Sequence, residues 1–408
     1  FTNYQYEVRF LRAYFYFELI KRYRNIPFVL DVLAQNEANG VNPESYEKIA
    51  KFIVDECSDL AQILPVNYDN FSTKEKGRVT RAAAMALKSR VTLYMASPLF
   101  SEDSEDKWKQ AAEAAYDIIK QKTDLGLDLV PYPQIFNDVN NQKAEVILYR
   151  PTGESGDFEK ANFPIGVEGG KTSTCPTQNL MEAYDMKDGT PFVWNNQSNP
   201  YDNRDPRMKY TIVCNEMKWP VDPVEIWEGG TNGLPLQNAT TTGYYLKKYV
   251  NNTISFEAGS TVTKKQHNWV LFRYGEILLN YAEAMINAFH DPNYKDAVYN
   301  MSAREAVNQI RGRTNISLPG FPSDITEKDF VKRLKNERRV ELAFEGHRFW
   351  DVRRWKELGQ TANIYGVKIT KNNEVISYEK FLLETRAVTD NMYFYPIPNT
   401  ERFKNPNL

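Results

Sequence analysis

The sequence predicts a mainly α-helical protein in which helical hairpins build a scaffold and a loop-rich insertion interrupts it. Apolar residues recur at intervals of three and four within residues 6–120 and again after residue 269, which is the spacing of amphipathic helices. Prolines stand where these segments end, because proline disfavours helical geometry in the residue before it. Residues 125–265 are instead rich in Gly, Pro, Asn and Thr, as loops are.

Four helices are predicted before the insertion. The first covers residues 6–23 and ends before Pro27; its apolar face comprises Val8, Leu11, Phe15 and Leu19. The others cover residues 43–64, 79–97 and 107–120. Proline fits the first turn of a helix, so Pro43 opens the second. These four helices are expected to pair as two hairpins in series.

The insertion is predicted to hold little regular structure. Strands are expected at residues 145–150 and 244–250, where β-branched and aromatic residues cluster. One helix is expected at residues 177–184. The remainder forms loops, and loops this long in a compact protein are usually functional or disordered.

Helical spacing resumes at Trp269 and continues to about Ala288. Further helices are predicted at residues 303–313, 327–344 and 347–358, and residues 359–395 are predicted to be irregular. Hairpins of roughly 34 residues favour tetratricopeptide-like stacking. We expect residues 1–124 and 269–408 to pack as one composite domain, with residues 125–268 as a ligand-binding insertion.

Composition restricts the possible functions. The 408 residues include 51 Lys and Arg against 53 Asp and Glu, a formal charge of −2, so the chain carries no general field for nucleic acid. Cys57, Cys175 and Cys214 show neither a disulfide framework nor zinc-site spacing. The three histidines lie far apart in sequence. We therefore predict no metal and no cofactor.

Catalytic signatures are absent from the sequence. It contains no GxSxG, no phosphate-binding GxxxxGK[ST], no HExxH and no EF-hand loop. A glycoside hydrolase needs two carboxyls about 5–10 Å apart, and the sequence singles out no such pair. We predict that the protein is not an enzyme.

Six strings in fixed order resemble one known family. They are EVRFLRAYFYFELIKRYRNIPFV (7–29), GRVTRAAAMALKSRVTLYMASPLF (77–100), NPYDNRDPRM (199–208), WVLFRYGEILLNYAEA (269–284), NERRVELAFEGHRFWDVRRW (336–355) and YPIPNTERFKNPNL (395–408). Together they resemble the SusD/RagB family of nutrient-binding lipoproteins. Family members usually have a further helical region, a signal peptide and a lipidated cysteine before the first string. They also often carry Gly-Gly where this chain has Arg24-Asn25.

The resemblance implies a function without covalent chemistry. It implies a SusD-like helical fold, an N-terminal lipid anchor on the cell-surface side of the outer membrane, and a SusC-type TonB-dependent transporter as partner. The expected activity is capture of an oligosaccharide and its delivery to that transporter. Peptide binding by a helical-repeat protein of the same family is the alternative, and glycoside hydrolysis is the less favoured one.

The most recognisable string, residues 336–355, is predicted to be structural. Its charged residues stand three or four apart, so acid and base can pair on adjoining helical turns; they are Glu337, Arg338, Glu341, Glu345 and Arg348. Phe344, Phe349, Trp350 and Trp355 supply apolar bulk. Asp205 and Arg207, which flank Pro206, are expected to fix a turn.

Ligand binding is therefore expected in the insertion. Flat, amphipathic rings suit the apolar faces and polar rims of sugars. The candidates are Trp194, Trp219, Trp227 and Tyr201, with Asp157, Phe158, Asn162 and Phe163 in a second loop. Polar neighbours are Asn195, Asn196, Asp222 and Glu228. Local packing within the loops explains each ring equally well.

Overall fold

Helices build both ends of the chain, as predicted. The structure is a computed structural model, and it describes residues 2–69, 77–102, 104–136, 144–195, 199–257 and 263–408. The α-helices of these ranges are α1 (Thr2–Tyr23), α2 (Gln35–Ala38), α3 (Tyr46–Ile63), α4 (Arg81–Ala96), α5 (Glu105–Lys120), α6 (Asp157–Asn162), α7 (Gln178–Met181), α8 (Pro206–Thr211), α9 (Tyr274–Phe289), α10 (Ala303–Arg311), α11 (Glu327–Glu341), α12 (Arg348–Arg354) and α13 (Asn399–Lys404). Short 3₁₀ helices cover Tyr132–Ile135, Leu358–Thr361 and Asp390–Tyr393. The mainly helical fold class is thereby confirmed.

Strands occur only as pairs in the described ranges, and all pairs are antiparallel. They are β1 (Ile26–Pro27) with β2 (Pro43–Glu44), β3 (Val146–Arg150) with β8 (Trp269–Arg273), β4 (Glu154–Ser155) with β7 (Lys265–Gln266), β5 (Ile212–Val213) with β6 (Tyr245–Leu246), and β9 (Asn363–Asn372) with β10 (Val375–Thr385). The strand predicted at 145–150 is β3. That predicted at 244–250 shrinks to β6, and the helix predicted at 177–184 shrinks to α7.

Two element starts differ from the prediction. Pro43 lies in β2 and does not open a helix; α3 begins after Ser45, whose side chain accepts a hydrogen bond from the Lys48 amide, as an N-cap does. Trp269 lies in a strand, and α9 begins only at Tyr274. Pairing with β3 therefore prevails over helical spacing for residues 269–273.

The prediction for the buried face of α1 is wrong. Val8, Leu11, Phe15 and Leu19 are 41–63 % exposed, whereas the neighbouring stripe of Phe10, Ala13, Phe17 and Ile20 is buried. Apolar residues occupy both sides of this helix, and the Phe17 side packs edge-on against Tyr94 of α4, with ring centroids 5.1 Å apart. The contacts with α3 and α4 decide which stripe is covered.

One apolar core joins the helices from both ends of the chain. It takes buried residues from α1, α3, α4 and α5 and from α9, α10 and α11. At its centre α5 packs against α9, where Tyr116 stacks on Tyr281 with centroids 5.4 Å apart. The domain boundaries at residues 124 and 268 stay a prediction.

The insertion has a second apolar core of its own, from residues 163–250. The hairpin β9–β10 packs onto it through Val367, Ile369 and Tyr378. This hairpin contradicts the prediction that residues 359–395 are irregular. Alternation of apolar and polar residues in Val367–Thr370, shortly before Asn372 and Asn373, is a hairpin signal that the prediction missed.

A buried ion-pair network fastens the insertion to the helices. It links six cations (Arg207, Lys248, Arg273, Arg311, Arg313 and Arg333) to six carboxylates (Glu145, Asp185, Asp205, Glu337, Glu341 and Glu345). The glutamates of residues 337–345 thus find most of their partners far away in sequence, and not on adjoining turns. Equal numbers of each charge compensate the cost of burying them.

Of the two smaller expectations for charged motifs, the turn at Asp205 forms and the ion pair of Arg348 does not form within the described residues. Asp205 caps α8 by accepting from the Arg207 amide at 2.9 Å, and it also pairs with the Arg207 side chain at 2.7 Å, so this turn is both capped and ion-paired. Arg348 makes no ion pair among the described residues; its guanidinium donates to Gln360 Oε1 at 2.8 Å.

Within the described ranges, no helix combines the length and apolar content that crossing a bilayer requires. The same ranges contain no group of three or more His, Cys, Asp or Glu arranged to hold a metal. Cys57, Cys175 and Cys214 are free thiols.

Candidate functional site

An open cleft of about 390 Å³ is lined by residues of the insertion. We call it the aromatic cleft. Its lining comes from the 3₁₀ helix at 132–135, from α8, from the segment after β6, and from β7; it comprises Pro133, Phe136, Tyr210, Trp219, Lys247–Thr253, Lys265 and His267. Elements that are far apart in sequence therefore build one concave surface.

Aromatic rings dominate one wall of the aromatic cleft. Tyr249 stands between two rings: Phe136 meets it edge-on with centroids 4.9 Å apart, and Trp269 stacks on it at 5.1 Å and 20°. Trp269 is not itself part of the cleft lining; it extends the stack beyond Tyr249 and remains 39 % exposed. Trp219 contributes a further ring, over which Lys247 Nζ lies at 5.0 Å. Stacked rings with an exposed indole offer a flat apolar platform.

A buried lysine positions this wall. Lys248 Nζ contacts Glu345 Oε1 and the Tyr132 hydroxyl, both at 2.8 Å. Burial lowers the pKa of Lys248 to about 8, although the Glu345 charge opposes the shift. The next residue, Tyr249, has φ 68°, a conformation that is strained for a bulky side chain. Anchoring Lys248 holds Tyr249 in place despite that strain.

Polar groups also line the aromatic cleft. His267 Nε2 lies 2.8 Å from Glu159 Oε1, and the same oxygen accepts from the Asn251 amide at 2.9 Å. Glu159 is fully buried and thus orients both groups from behind. Asn252 and Thr253 are exposed on the rim. The cleft therefore joins an apolar platform to hydrogen-bonding side chains, as sites for small polar ligands do.

Of the predicted residues, the structure brings Trp219 to the lining of the aromatic cleft and Phe158 next to a lining residue. Trp219 lines the cleft, although only 5 % of its surface is exposed. Phe158 lies beside the His267 ring, with centroids 5.5 Å apart. Asp157, its neighbour, is exposed in the first turn of α6. Phe158 thus supports His267, which lines the cleft, whereas Trp219 lines the cleft directly.

The remaining predicted residues lie elsewhere. Half-buried Trp194 packs against Phe192 at 6.4 Å, and half-buried Trp227 has Lys371 Nζ 4.6 Å above its ring. The ring of Tyr201 packs edge-on against Tyr244 and Tyr378. The three predicted indoles thus have separate surroundings. Asn195 and Glu228 are exposed, as is Asp222, and Asn196 lies outside the described residues.

Asn162 and Phe163 occupy the interior of the insertion and not its surface. They are 4 % and 1 % exposed. Asn162 donates to the Phe158 carbonyl at 2.9 Å, and Phe163 meets Phe256 edge-on at 5.9 Å. A surface role for these two residues is therefore corrected: Phe163 belongs to the second apolar core, and Asn162 is a buried polar residue beside it in sequence.

Sequence reasoning missed most of the aromatic wall. Tyr249 and Trp269 were assigned to regular elements and not to the site, and Phe136, Tyr210 and His267 were not singled out. A usable signal existed in the aromatics that border loops at both ends of the insertion. Their stacking depends on β3 pairing with β8, which sequence spacing does not show.

A second cleft, of about 850 Å³, runs along α11. Its lining is mostly charged, and Phe192 is its one aromatic side chain among the described residues. Because the aromatic cleft supplies stacking surfaces, it fits a sugar ligand better than this larger one does.

Comparison with known proteins places the chain in a defined class. Solved structures that share its arrangement include a SusD-like carbohydrate binding protein from Bacteroides fragilis, with a TM-score of 0.82 and 27% identity over 100% of this chain and 80% of that chain. Another SusD-like protein from Bacteroides fragilis gives 0.81 and 27%, over 98% of this chain and 78% of that chain. The fold is thus that of the helical, SusD-like class.

Sequence comparison agrees with the structural match. A sequence profile described as the SusD family matches residues 135–408. SusD-like protein P2 of Formosa agariphila is 29% identical over 156 residues, which are 37% of this chain and 26% of that protein. The chain thus matches about a quarter of the length of this curated relative. The profile covers more than half of the chain, and the protein belongs to the SusD family, as its motifs predict.

Proposed function

We propose that the protein binds an oligosaccharide in the aromatic cleft and releases it chemically unchanged. The observation that carries this proposal is the stack of Phe136, Tyr249 and half-exposed Trp269 beside an open cleft. Sugar rings present flat C–H faces that such a platform can cover. Lys247, Asn252 and Thr253 can then serve the hydroxyl rims.

Relatives support a carbohydrate as the ligand. One similar solved structure is described as a SusD-like carbohydrate binding protein, and Surface glycan-binding protein A from Bacteroides uniformis shares the fold with a TM-score of 0.67 at 18% identity. By the family resemblance we further propose a lipid-anchored location on the outer surface of the outer membrane. There the protein would pass its ligand to a SusC-type TonB-dependent transporter.

Calorimetric binding of a panel of neutral oligosaccharides tests the proposal. Ring stacking on other flat ligands is worth about 1–3 kcal/mol, so Trp269→Ala should weaken binding roughly 5- to 150-fold. Phe403→Ala removes a ring that is 88 % exposed in the C-terminal tail and serves as the control. Both variants should have the melting temperature of the wild type.

A second variant, Trp227→Ala, distinguishes a ligand platform at Trp227 from one at Trp269. If Trp227→Ala abolishes binding and Trp269→Ala does not, the ligand lies near β9 and the aromatic cleft is not the site. If short peptides bind and no oligosaccharide does, the protein is a peptide-binding member of the family. Cleavage of a bound oligosaccharide, followed by the release of reducing ends, would contradict binding without chemistry.

A further inference from the structure

The second cleft of about 850 Å³, here called the charged cleft, presents two arginines without an acidic partner. Arg339 comes from α11 and Arg348 from the first residue of α12. Arg339 Nη2 donates to the Asn179 carbonyl at 2.8 Å, and Arg348 Nη2 donates to Gln360 Oε1 at 2.8 Å. Neither guanidinium lies within 4 Å of a carboxylate in the described part of the chain. Each has five N–H donors, so most remain unused.

Carboxylates near the two arginines are already engaged. Glu182 contacts Lys380 Nζ at 2.8 Å. Glu357 contacts Lys335 Nζ at 2.5 Å. Glu182 and Glu357 are the lining acids whose charges act on Arg339 and Arg348, respectively. Each is already paired with a lysine, so neither acid is free to neutralise its arginine.

Two further acids already form ion pairs with other arginines. Asp351, whose charge acts on Arg348, contacts Arg338 at 2.9 Å and Arg354 at 2.8 Å. Asp185 belongs to the buried ion-pair network through Arg311 at 3.3 Å. The other acids of the lining, Asp324 and Asp329, are exposed.

The two guanidiniums also repel each other. Burial, followed by the charge of Arg348, lowers the pKa of Arg339 to about 10. Burial likewise lowers the pKa of Arg348. Arginine stays protonated in proteins, so both side chains carry a positive charge. Exposed Lys328 and Lys332 of α11 line the same cleft and offset the exposed Asp324 and Asp329, so that its six cations exceed its five carboxylates by one. Half-buried like charges without counter-charges are costly, and an incoming anion would relieve that cost.

We propose that Arg339 and Arg348 bind an oxyanion of the carbohydrate ligand, either the carboxylate of a uronic acid or a sulfate ester. A planar guanidinium matches both groups through paired N–H donors. A carbohydrate suits the charged cleft better than a peptide, because most of its described lining is polar. This inference rests on the proposed glycan binding and adds to it a preference for acidic over neutral glycans.

Calorimetry at low ionic strength tests the assignment with defined probes. Oligogalacturonate supplies carboxylates, its methyl ester is the uncharged match, and a sulfated galactan oligosaccharide supplies sulfates. We expect the acidic sugars to bind at least tenfold more tightly than the ester. The sugar that shows this preference identifies which oxyanion the site takes.

Variants localise the preference. Arg339→Gln and Arg348→Gln should each reduce acidic-sugar affinity roughly tenfold or more, since charge-assisted hydrogen bonds are lost, and should leave neutral-sugar affinity unchanged. Arg353→Gln is the matched control, one turn along α12 and outside the lining. Arg339→Lys and Arg348→Lys should restore only part of the affinity, because lysine keeps the charge without the paired donors.

Several results would overturn the proposal. One is equal affinity for oligogalacturonate and its ester; another is wild-type affinity in both glutamine variants. Equal binding of polyglutamate would assign the charged cleft to acidic peptides. If a glutamine variant unfolds at a lower temperature than the wild type, the lysine variants provide the test. Full wild-type affinity in both lysine variants would refute recognition through paired guanidinium donors. Loss of acidic-sugar preference with intact neutral-sugar binding refutes this site alone, whereas absence of all sugar binding refutes the proposed function.

Discussion

Replacing Arg273 with methionine should destabilise the protein by about 3–5 kcal/mol, the usual cost of removing one partner from a buried ion pair. Its guanidinium contacts Glu145 at 2.7 Å, Glu341 at 2.8 Å and Glu345 at 2.6 Å. All three carboxylates are at most 2 % exposed at their side chains. The substitution leaves five cations for six carboxylates in the buried ion-pair network.

The cost should stay near that of one pair because each carboxylate keeps another cation. Arg313 still contacts Glu145 at 3.0 Å, and Lys248 still contacts Glu345 at 2.8 Å. Urea denaturation at pH 7 measures the loss as a shift of the midpoint with an unchanged slope. Arg386→Met is the control, since its pair with Glu384 is half exposed and should contribute about 0–1 kcal/mol.

The same variant makes a pH-dependent prediction. One unneutralised carboxyl in the variant takes up a proton more readily when folded than when unfolded, so the destabilisation should shrink as the pH falls from 7 toward 5. A loss below about 1 kcal/mol, equal to that of Arg386→Met, would refute the reasoning. So would a loss that grows on acidification.

Two other predictions concern the same core. In the wild type, nearby arginines hold the pKa values of Glu337 and Glu341 below 4.5 despite burial, which alone raises them. The folded state therefore binds fewer protons than the unfolded state, so the stabilisation from these two groups is complete above about pH 5 and is lost as the pH falls below 4.5. A melting temperature that falls as much between pH 8 and 6 as it does below pH 4.5 would contradict this prediction. Trp355→Ala should cost about 3–5 kcal/mol, because the indole is 7 % exposed and donates to Glu283 at 2.7 Å; normal melting with lost ligand binding would place this motif in the site instead.

Sequence spacing predicted the helices better than their orientation. Each long helix was found because apolar side chains recur with helical period, which is a local property. Which side of α1 is buried depends on a choice between two apolar stripes. Phe17 meets Tyr94 in the core while Phe15 stays 58 % exposed, and only the positions of α3 and α4 decide between them. Periodicity carries no information on that choice.

The placement of the predicted site residues depends on tertiary contacts. Loop composition predicts ligand binding in the insertion, which holds an open cleft that Trp219 lines; the assignment of that cleft as the ligand site stays a prediction. Tyr249 and Trp269 were missed because they are twenty residues apart and stack only once β8 pairs with β3. Rings in one loop, such as Phe163, fill the insertion's own core instead. Loop composition therefore indicates the insertion, whereas the pairing of strands that are distant in sequence determines which of its aromatic residues lie together.

The string at 336–355 connects the scaffold to both clefts. It was expected to form only core, and its buried members do: Glu341 and Glu345 hold Arg273. Yet Glu345 also anchors Lys248, whose neighbours line the aromatic cleft. On the side of α11 opposite Glu341, Arg339 reaches the charged cleft. A helix has two sides, so one motif can satisfy buried charges on one side and position ligand-facing groups on the other.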